Sequence, residues 1–186
     1  MGFFESKGQT GFHGKIQPLY WFFIVMQILL TSCAHGGNMF SAPLINDITT
    51  TYPNPPQFRK IAELRSKIDY VYPDHFYVQQ ANFYKDLKPL TVSVGPDHGF
   101  KLVQELARKQ PRWQIVSADS AARVLEATAT TALLRFKDDI VIEVRPGSNP
   151  DGCEVHMRSK SRLGKGDLGA NAARIQAFFK DVKAIN

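Results

Sequence analysis

Apolar and polar residues alternate with a period of two along four segments in the second half of the chain. In the third of these segments, for example, Ile140, Ile142 and Val144 share one face, as in a strand whose two sides meet different surroundings. The alternation predicts four strands, at 113–116, 123–136, 140–145 and 153–161. The charged residues 137–139 are predicted to form the turn before the third strand, and the glycine- and proline-containing residues 147–152 the loop before the fourth.

Helical spacing of apolar residues precedes and follows these strands. A helix is predicted from Asp97, a candidate N-cap, to a point before Pro111. The last helix is predicted from large apolar residues at i, i+3, i+4 and i+7, namely Ile175, Phe178, Phe179 and Val182. Strands joined by short turns pair antiparallel, and two amphipathic helices cover one face of the sheet.

The predicted fold class is therefore α+β, a two-layer sandwich in which a four-stranded antiparallel sheet carries two helices on one face, in the order α-β-β-β-β-α. The opposite face of such a sheet needs cover. A short helix expected within 58–71, the aromatic segment that follows it, a partner or a ligand could provide that cover.

The amino-terminal region has an apolar run at 19–30, preceded by Lys7 and Lys15. A membrane-spanning helix needs about 20 apolar residues and a signal-peptide core about 7 to 15, so the length favours an export signal. The run leads into Leu30, Thr31, Ser32 and Cys33, which have the pattern of a bacterial lipobox. Cys33 is the predicted lipidation site and the first residue of the mature chain.

The alternatives are an uncleaved anchor, an ordinary signal peptide, or myristoylation at Gly2, which leaves the apolar run unexplained. The lipoprotein interpretation divides the chain into a signal peptide (1–32), a lipidated tether (33–57), an irregular or helical lead-in (58–96) and a globular domain (97–186). We expect the protein to be anchored to the cell membrane or the outer membrane, facing the periplasm.

Composition adds modest limits. The chain has 186 residues, 44% of them apolar, and a formal net charge of +6. These values suit one domain with a real core and a tether rather than a disordered chain. The positive charge would favour an anionic membrane surface or an acidic ligand, but a solvated basic face is the commoner explanation. Nucleic acid is not an expected partner outside the cytoplasm.

The cysteine and histidine pattern gives no catalytic or metal site. Cys153 shares the alternating phase of Val155 and Met157, which predicts a small buried thiol rather than a nucleophile. If Cys33 carries lipid, Cys153 has no partner for an intrachain disulfide. The histidines lie apart in sequence without a second cysteine nearby, so we expect no metal and no cofactor.

A polar corner is predicted where the fourth strand meets the last helix. The alternation places His156, Arg158, Lys160 and Arg162 on one face of that strand and Ser159 and Ser161 on the other. Glycines in the connecting turn would bring the strand close to the polar stripe of the helix. The candidate residues of this corner are Arg158, Ser159, Ser161, Arg162, Asp167, Asn171 and Arg174.

This corner has a structural and two functional interpretations. In the structural one, Asp167 caps the helix and pairs with Arg158 or Arg162, which satisfies partly buried charges. In the others, the arginines bind an anionic ligand or take part in catalysis. Catalysis has little support, because the alternation places His156 on the strand face opposite Ser159 and Ser161, no Gly-x-Ser-x-Gly motif is present, and the pair Asp138-Asp139 is interpreted as a turn.

The motifs at 158–179, RSKSRLGKGDLGANAARIQAFF, and at 133–146, LLRFKDDIVIEVRP, resemble the bacterial and plant family called domain of unknown function 1499. The resemblance extends roughly from Gly99 to Ala184, and it implies no particular activity, because the family has none agreed. The segment 70–90 departs from the cysteine- and serine-containing lead-in associated with the family.

Together, these observations predict a lipid-anchored cell-envelope protein that carries a noncatalytic binding or accessory module. One alternative is an envelope enzyme, such as a hydrolase, that uses Arg158, Arg162 and Asp167. The other is a carrier of lipid or another apolar ligand on the uncovered face of the sheet. Envelope proteins and anionic lipid are the expected partners beside the membrane itself.

Overall fold

The structure is a computed structural model that describes residues 42–132 and 134–185. The predicted signal peptide and Cys33 lie outside the described residues. Within them, no helix combines the length and apolar character needed to cross a membrane.

The described part of the chain contains six strands and four helices, so the α+β class is confirmed. The strands are β1 (Asp47–Thr49), β2 (Leu90–Val92), β3 (Trp113–Asp119), β4 (Val124–Thr130), β5 (Lys137–Pro146) and β6 (Cys153–Ser161). The helices are α1 (Lys60–Leu64), α2 (Asp74–Phe83), α3 (Pro96–Lys109) and α4 (Ala170–Lys183).

All the strands belong to one antiparallel sheet in the order β1-β6-β5-β4-β3. β2 also pairs with β6, on the same edge as β1 but at the other end of the strand. Asp47 of β1 lies opposite Lys160, whereas Leu90 of β2 lies opposite Val155. His156 and Met157 therefore lie between the two edge pairings.

The sheet differs from the predicted four-stranded one because β1 and β2 were not recognised. Each has three residues, too few to show an alternating pattern, and β1 is formed by the polar sequence Asp-Ile-Thr. β1 lies in the segment predicted as a tether and β2 in the predicted lead-in. The predicted boundaries at 58 and 97 thus do not mark the limits of the fold.

The predicted turn at 137–139 is also wrong. Lys137, Asp138 and Asp139 are the first residues of β5 and pair with β4 and β6. β4 ends at Thr130 rather than at 136, and the connection between the strands comes earlier in the chain. Two adjacent aspartates favour a turn only when water solvates them, and here both are buried.

Both flanking helices are present and pack on one face of the sheet, against Ile140, Ile142, Val144 and the apolar residues of β6. The predicted stripe of α4 is buried, and the Phe178 ring stacks on Trp113 with 5.3 Å between the ring centroids. Cys153 is a buried free thiol. A Cβ at Gly99 would clash with Cys153 Sγ, so glycine lets α3 approach β6 closely.

The opposite face of the sheet is covered by α1 and the segment after it. Phe58, Ile61 and Tyr70 pack there against Val124 and Val141. The helix predicted within 58–71 is only five residues long, and the apolar residues Leu64 and Val71 of that segment are exposed instead of packing on the sheet. The backbone N–H groups of Lys60 and Ile61 donate to the buried carboxylate of Glu126, each at 2.8 Å, which fixes α1 to the sheet.

Candidate functional site

The predicted corner residues lie on both sides of β6, which is flanked by β5 and by the two edge strands. As the alternation predicts, Ser159 and Ser161 face the helices, whereas Arg158 and Arg162 face the other layer. The sheet therefore separates the seven residues into two groups.

The first group lies on the helix side. It contains Asp167, described below, and the helix-side cluster, in which Asp138 of β5 joins the candidates Ser159, Ser161, Asn171 and Arg174. Ser159 Oγ donates to Asn171 Oδ1 at 2.7 Å, and Asn171 Nδ2 donates to Ser161 Oγ at 3.0 Å. Arg174 donates to Ser159 Oγ at 2.9 Å and to Asp138 Oδ2 at 2.5 Å. These bonds hold the start of α4 against the ends of β5 and β6.

Asp167 lies at the start of α4. Its carboxylate accepts hydrogen bonds from the backbone N–H groups of Gly169 and Asn171, each at 2.9 Å, which is a capping role. Burial raises the pKa of Asp167, and these hydrogen bonds partly offset that increase. The predicted pairing with Arg158 or Arg162 is wrong: in the described chain both arginines bond other carboxylates, because their side chains leave β6 on the opposite face of the sheet.

The second group is the arginine cluster, formed by Asp47, Asp139, Arg158, Lys160 and Arg162. Arg158 is fully buried and donates two hydrogen bonds to Asp47, at 2.9 and 2.8 Å. Lys160 Nζ lies 3.1 Å from the same carboxylate. Arg158 also donates to backbone carbonyl groups and lies over an aromatic ring, so its charge is neutralised and its donors are used within the fold.

Arg162 repeats this arrangement with Asp139. Its Nε and Nη2 atoms donate to the two carboxylate oxygens at 2.9 and 2.7 Å. The hydrogen bond to Asp139 raises the pKa of Arg162 above its ordinary value. Asp139 also accepts from the Tyr70 hydroxyl at 2.6 Å and from Thr128 Oγ1 at 3.0 Å.

The side chains of the adjacent residues Asp138 and Asp139 thus lie on opposite faces of the sheet. Arg174 binds Asp138, and Arg162 binds Asp139. Sequence reasoning missed both, because their partners are 36 and 23 residues away. Such a network stabilises the strand ends, and within it the candidate serines are hydrogen-bonded rather than free to act as nucleophiles.

A cavity of about 350 Å³ lies at the sheet edge beside α2. We call it the tyrosine pocket. Its walls include three tyrosines, two lysines and a histidine, namely Tyr52, Tyr77, Tyr84, Lys85, Lys88 and His156. Tyr52 stacks on Tyr77 with 4.2 Å between the ring centroids, and burial raises the pKa of Tyr84 to about 12. None of these residues was a sequence-predicted site residue.

His156, which lines this wall, lies on β6 between the residues that pair with β1 and those that pair with β2. Its Nδ1 atom forms a hydrogen bond with Thr51 Oγ1, whereas its Nε2 atom is buried and has no hydrogen-bond partner in the described chain. The nearest carboxylate oxygen on this side, Glu154 Oε2, lies 3.3 Å away but not in hydrogen-bond geometry. Burial, followed by the charge of Arg145, lowers the pKa of His156, so the ring is neutral near pH 7.

The pocket is also fixed in place by polar contacts. Gln80 of α2 accepts a hydrogen bond from the backbone N–H of Thr49 at 3.0 Å and donates to the carbonyl of Thr49 at 2.6 Å, as a paired strand would. The aromatic density of 70–84 was the one sequence signal for this site. Among residues 42–132 and 134–185, no three histidine, cysteine or acidic side chains are grouped closely enough to hold a metal ion.

The family described as Protein of unknown function (DUF1499) matches residues 47–182. The match begins at β1, so it includes the segment before Gly99 that the resemblance left out. No curated protein matches the chain.

Two solved structures show weak likeness. The di-domain ARO/CYC BexL from the BE-7585A biosynthetic pathway is 16% identical, with a TM-score of 0.35, over 52% of this chain and 41% of its own. A DUF4468 family protein from Bacteroides ovatus is 8% identical, with a TM-score of 0.24, over 52% of this chain and 79% of its own. Both TM-scores are too low to establish a shared fold.

Proposed function

The chain belongs to the DUF1499 family, and on this premise we propose that it is a lipoprotein of the cell envelope whose domain is a noncatalytic binding module. The observation that carries the binding role is the buried Nε2 atom of His156 in the wall of the tyrosine pocket, which has no hydrogen-bond partner in the described chain. Leaving such an atom unsatisfied costs free energy, and a ligand whose binding moves the ring enough to expose Nε2, which is buried in the structure, would recover it.

The chemistry of the pocket favours a small molecule with a flat ring and an acidic group. The tyrosine rings offer apolar faces with polar edges, and Lys85 and Lys88 are exposed cations in the same lining. A volume of about 350 Å³ is at the lower end of the range for small-molecule sites.

The lipid anchor is supported by the lipobox pattern that ends at Cys33. Two or more acyl chains on one residue give stable membrane attachment. Cys33→Ala is expected to block processing, which intact mass and membrane fractionation of the variant would check. Ala34 lacks the acidic character associated with retention at the inner membrane, which favours the outer membrane if the cell has one.

The two alternatives have less support. A hydrolase built on Arg158, Arg162 and Asp167 would need these groups to be available to a substrate, but they are bonded to buried carboxylates and to backbone. A carrier that uses the second face of the sheet would need that face to be open, but Phe58, Ile61 and Tyr70 cover it.

Native mass spectrometry of the protein extracted from cells tests the binding role. We expect the wild type to retain a small noncovalent ligand and Tyr77→Ala to lose it. The matched control is Val78→Ala, which alters an exposed neighbour on α2 outside the pocket lining. A wild type without ligand, or a ligand that Tyr77→Ala retains, would contradict the proposal. Turnover that disappears in Arg162→Ala with the fold intact would support the hydrolase instead.

A further inference from the structure

One end of the sheet carries exposed large apolar side chains on three segments, 44–46, 131–137 and 162–168. Leu44 is 75% exposed and Leu163 is 72% exposed. Among the described residues, those of this kind at this end are Leu44, Leu134, Phe136, Leu163 and Leu168. We call these residues the apolar end.

Backbone hydrogen bonds make the three segments neighbours. The N–H of Asp167 donates to the carbonyl of Ile45 at 3.2 Å, which joins the first segment to the third. The N–H of Arg162 donates to the carbonyl of Lys137 at 3.2 Å, which joins the third to the second. The antiparallel register agrees, because it brings the start of β1, the end of β6, the start of β5 and the end of β4 to the same end of the sheet.

The exposed charges of these segments are all basic: Arg135, Lys137 and Lys165. The nearby carboxylates are turned inward, since Asp138 is bound by Arg174 and Asp167 accepts backbone N–H groups. Apolar side chains surrounded by lysine and arginine favour the interface of an anionic bilayer, where the apolar groups enter the acyl boundary and the cations meet lipid phosphates.

The opposite end of the sheet has a different character. The β5–β6 loop at 147–152 and the β3–β4 turn at 120–123 contain no leucine, isoleucine, valine, phenylalanine or methionine. Exposed apolar side chains are common when scattered singly, but five of the nine large ones in the described chain lie together at the apolar end.

We infer that the apolar end docks onto the anionic surface of the membrane that holds the lipid anchor. This inference rests on the proposed function, because the anchor supplies the geometric argument. Nine residue steps separate Cys33 from Ala42, an extended reach of about 30 Å, and Ala42 is three residues from Ile45 at the apolar end. An anchor at Cys33 therefore keeps this end near the lipid, while the hairpin loop at 147–152 lies at the far end of β5 and β6.

Fluorescence quenching in vesicles tests this orientation. The full processed protein would be placed in vesicles of phosphatidylglycerol and brominated phosphatidylcholine, with a tryptophan introduced as Phe136→Trp or, as the control at the other end, Ser148→Trp. After subtraction of the wild-type signal, we expect quenching of Phe136→Trp to be at least about threefold that of Ser148→Trp, as apolar side chains inserted at the interface would give. We also expect it to fall when phosphatidylglycerol is omitted.

Equal quenching at the two positions would overturn the inference, as would photocrosslinking from position 136 to a protein instead of lipid in intact cells. The intact mass of the same sample separates this failure from a failure of the anchor. A mass without acyl chains refutes the lipoprotein proposal, whereas an acylated protein with equal quenching refutes the docking surface alone. Unchanged unfolding midpoints would show that both tryptophan variants are folded.

Discussion

The arginine cluster and the tyrosine pocket lie on the same face of β6, only a few residues apart, but they satisfy their polar groups differently. In the arginine cluster, each guanidinium bonds both oxygens of a buried carboxylate. In the pocket wall, His156 keeps a buried nitrogen without a hydrogen bond in the described chain. The comparison indicates that the cationic side chains of β6 are satisfied at the arginine cluster, whereas its histidine in the pocket wall is not.

The comparison can be tested by mutation, and the largest expected change in stability is in the arginine cluster. Arg158→Ala would leave the buried carboxylate of Asp47 with only Lys160 as a cationic partner. We expect the free energy of unfolding to fall by about 3 to 5 kcal/mol, the usual result of removing one partner from a buried pair. Urea denaturation followed by circular dichroism measures this change.

Arg108→Ala is the matched control, because Arg108 is an exposed arginine on α3. Its effect should stay within about 0.5 kcal/mol. If the two variants lose similar amounts of unfolding free energy, the buried pair of Arg158 and Asp47 does not stabilise the fold. The arginine cluster would then not have the structural role that the comparison gives it.

The next effect concerns the helix-side cluster, which has the same chemistry on the other face. Arg174→Ala would remove the cation that binds the buried Asp138 and the donor to Ser159. The expected loss in the free energy of unfolding is about 2 to 3 kcal/mol, since the hydrogen bonds involve a charged group and the carboxylate stays behind. Lys180→Ala, at an exposed position of the same helix, should change the free energy of unfolding little. A comparable loss in Lys180→Ala would show that the effect of Arg174→Ala does not depend on the buried cluster.

The smallest effect belongs to the pocket and appears as a pH dependence. Because burial lowers the pKa of His156 in the folded chain, the unfolded chain takes up a proton near pH 6.5 that the folded chain does not. Stability should therefore decline as pH falls below about 6.5, and less so in His156→Gln. The charged groups beside the ring are Glu143, Glu154 and Arg145, and the first cause of the shift is burial.

Unfolding midpoints at several pH values, for the wild type and His156→Gln in parallel, measure this effect. Identical pH profiles would mean that His156 is not held in its neutral form. In that case the unsatisfied nitrogen would no longer distinguish the pocket from the arginine cluster.

Regular patterns allowed a large part of the fold to be predicted from sequence. The bounds of β6 agree with the alternation at 153–161, and the apolar stripe of α4 is buried as its spacing predicts. These predictions succeed because a long amphipathic element must bury one face, whatever its partners are.

The missed features depend on contacts between remote segments. β1 is too short to show a pattern; its Asp47 side chain is buried against Arg158 and Lys160, and Gln80 bonds the backbone of its Thr49. Asp138 and Asp139 are residues typical of a turn, yet they belong to a strand, because Arg174 binds Asp138 on one face of the sheet and Arg162 binds Asp139 on the other. Likewise, the tyrosine pocket combines the segment after β1, helix α2 and the middle of β6, which no local pattern brings together.

The pairing of Arg162 tests the central claim most directly, because it decides whether the charged residues on β6 are structural. A double-mutant cycle with Arg162→Ala and Asp139→Asn would be measured by urea denaturation, beside a second cycle with Arg162→Ala and Asp167→Asn. We expect a coupling of about 1 kcal/mol or more in the first cycle and near zero in the second, because Arg162 contacts only Asp139 of these two carboxylates. Additive effects of Arg162→Ala and Asp139→Asn, or an Arg162→Ala variant as stable as the wild type, would contradict the structural role. These arginines would then again be candidates for ligand binding.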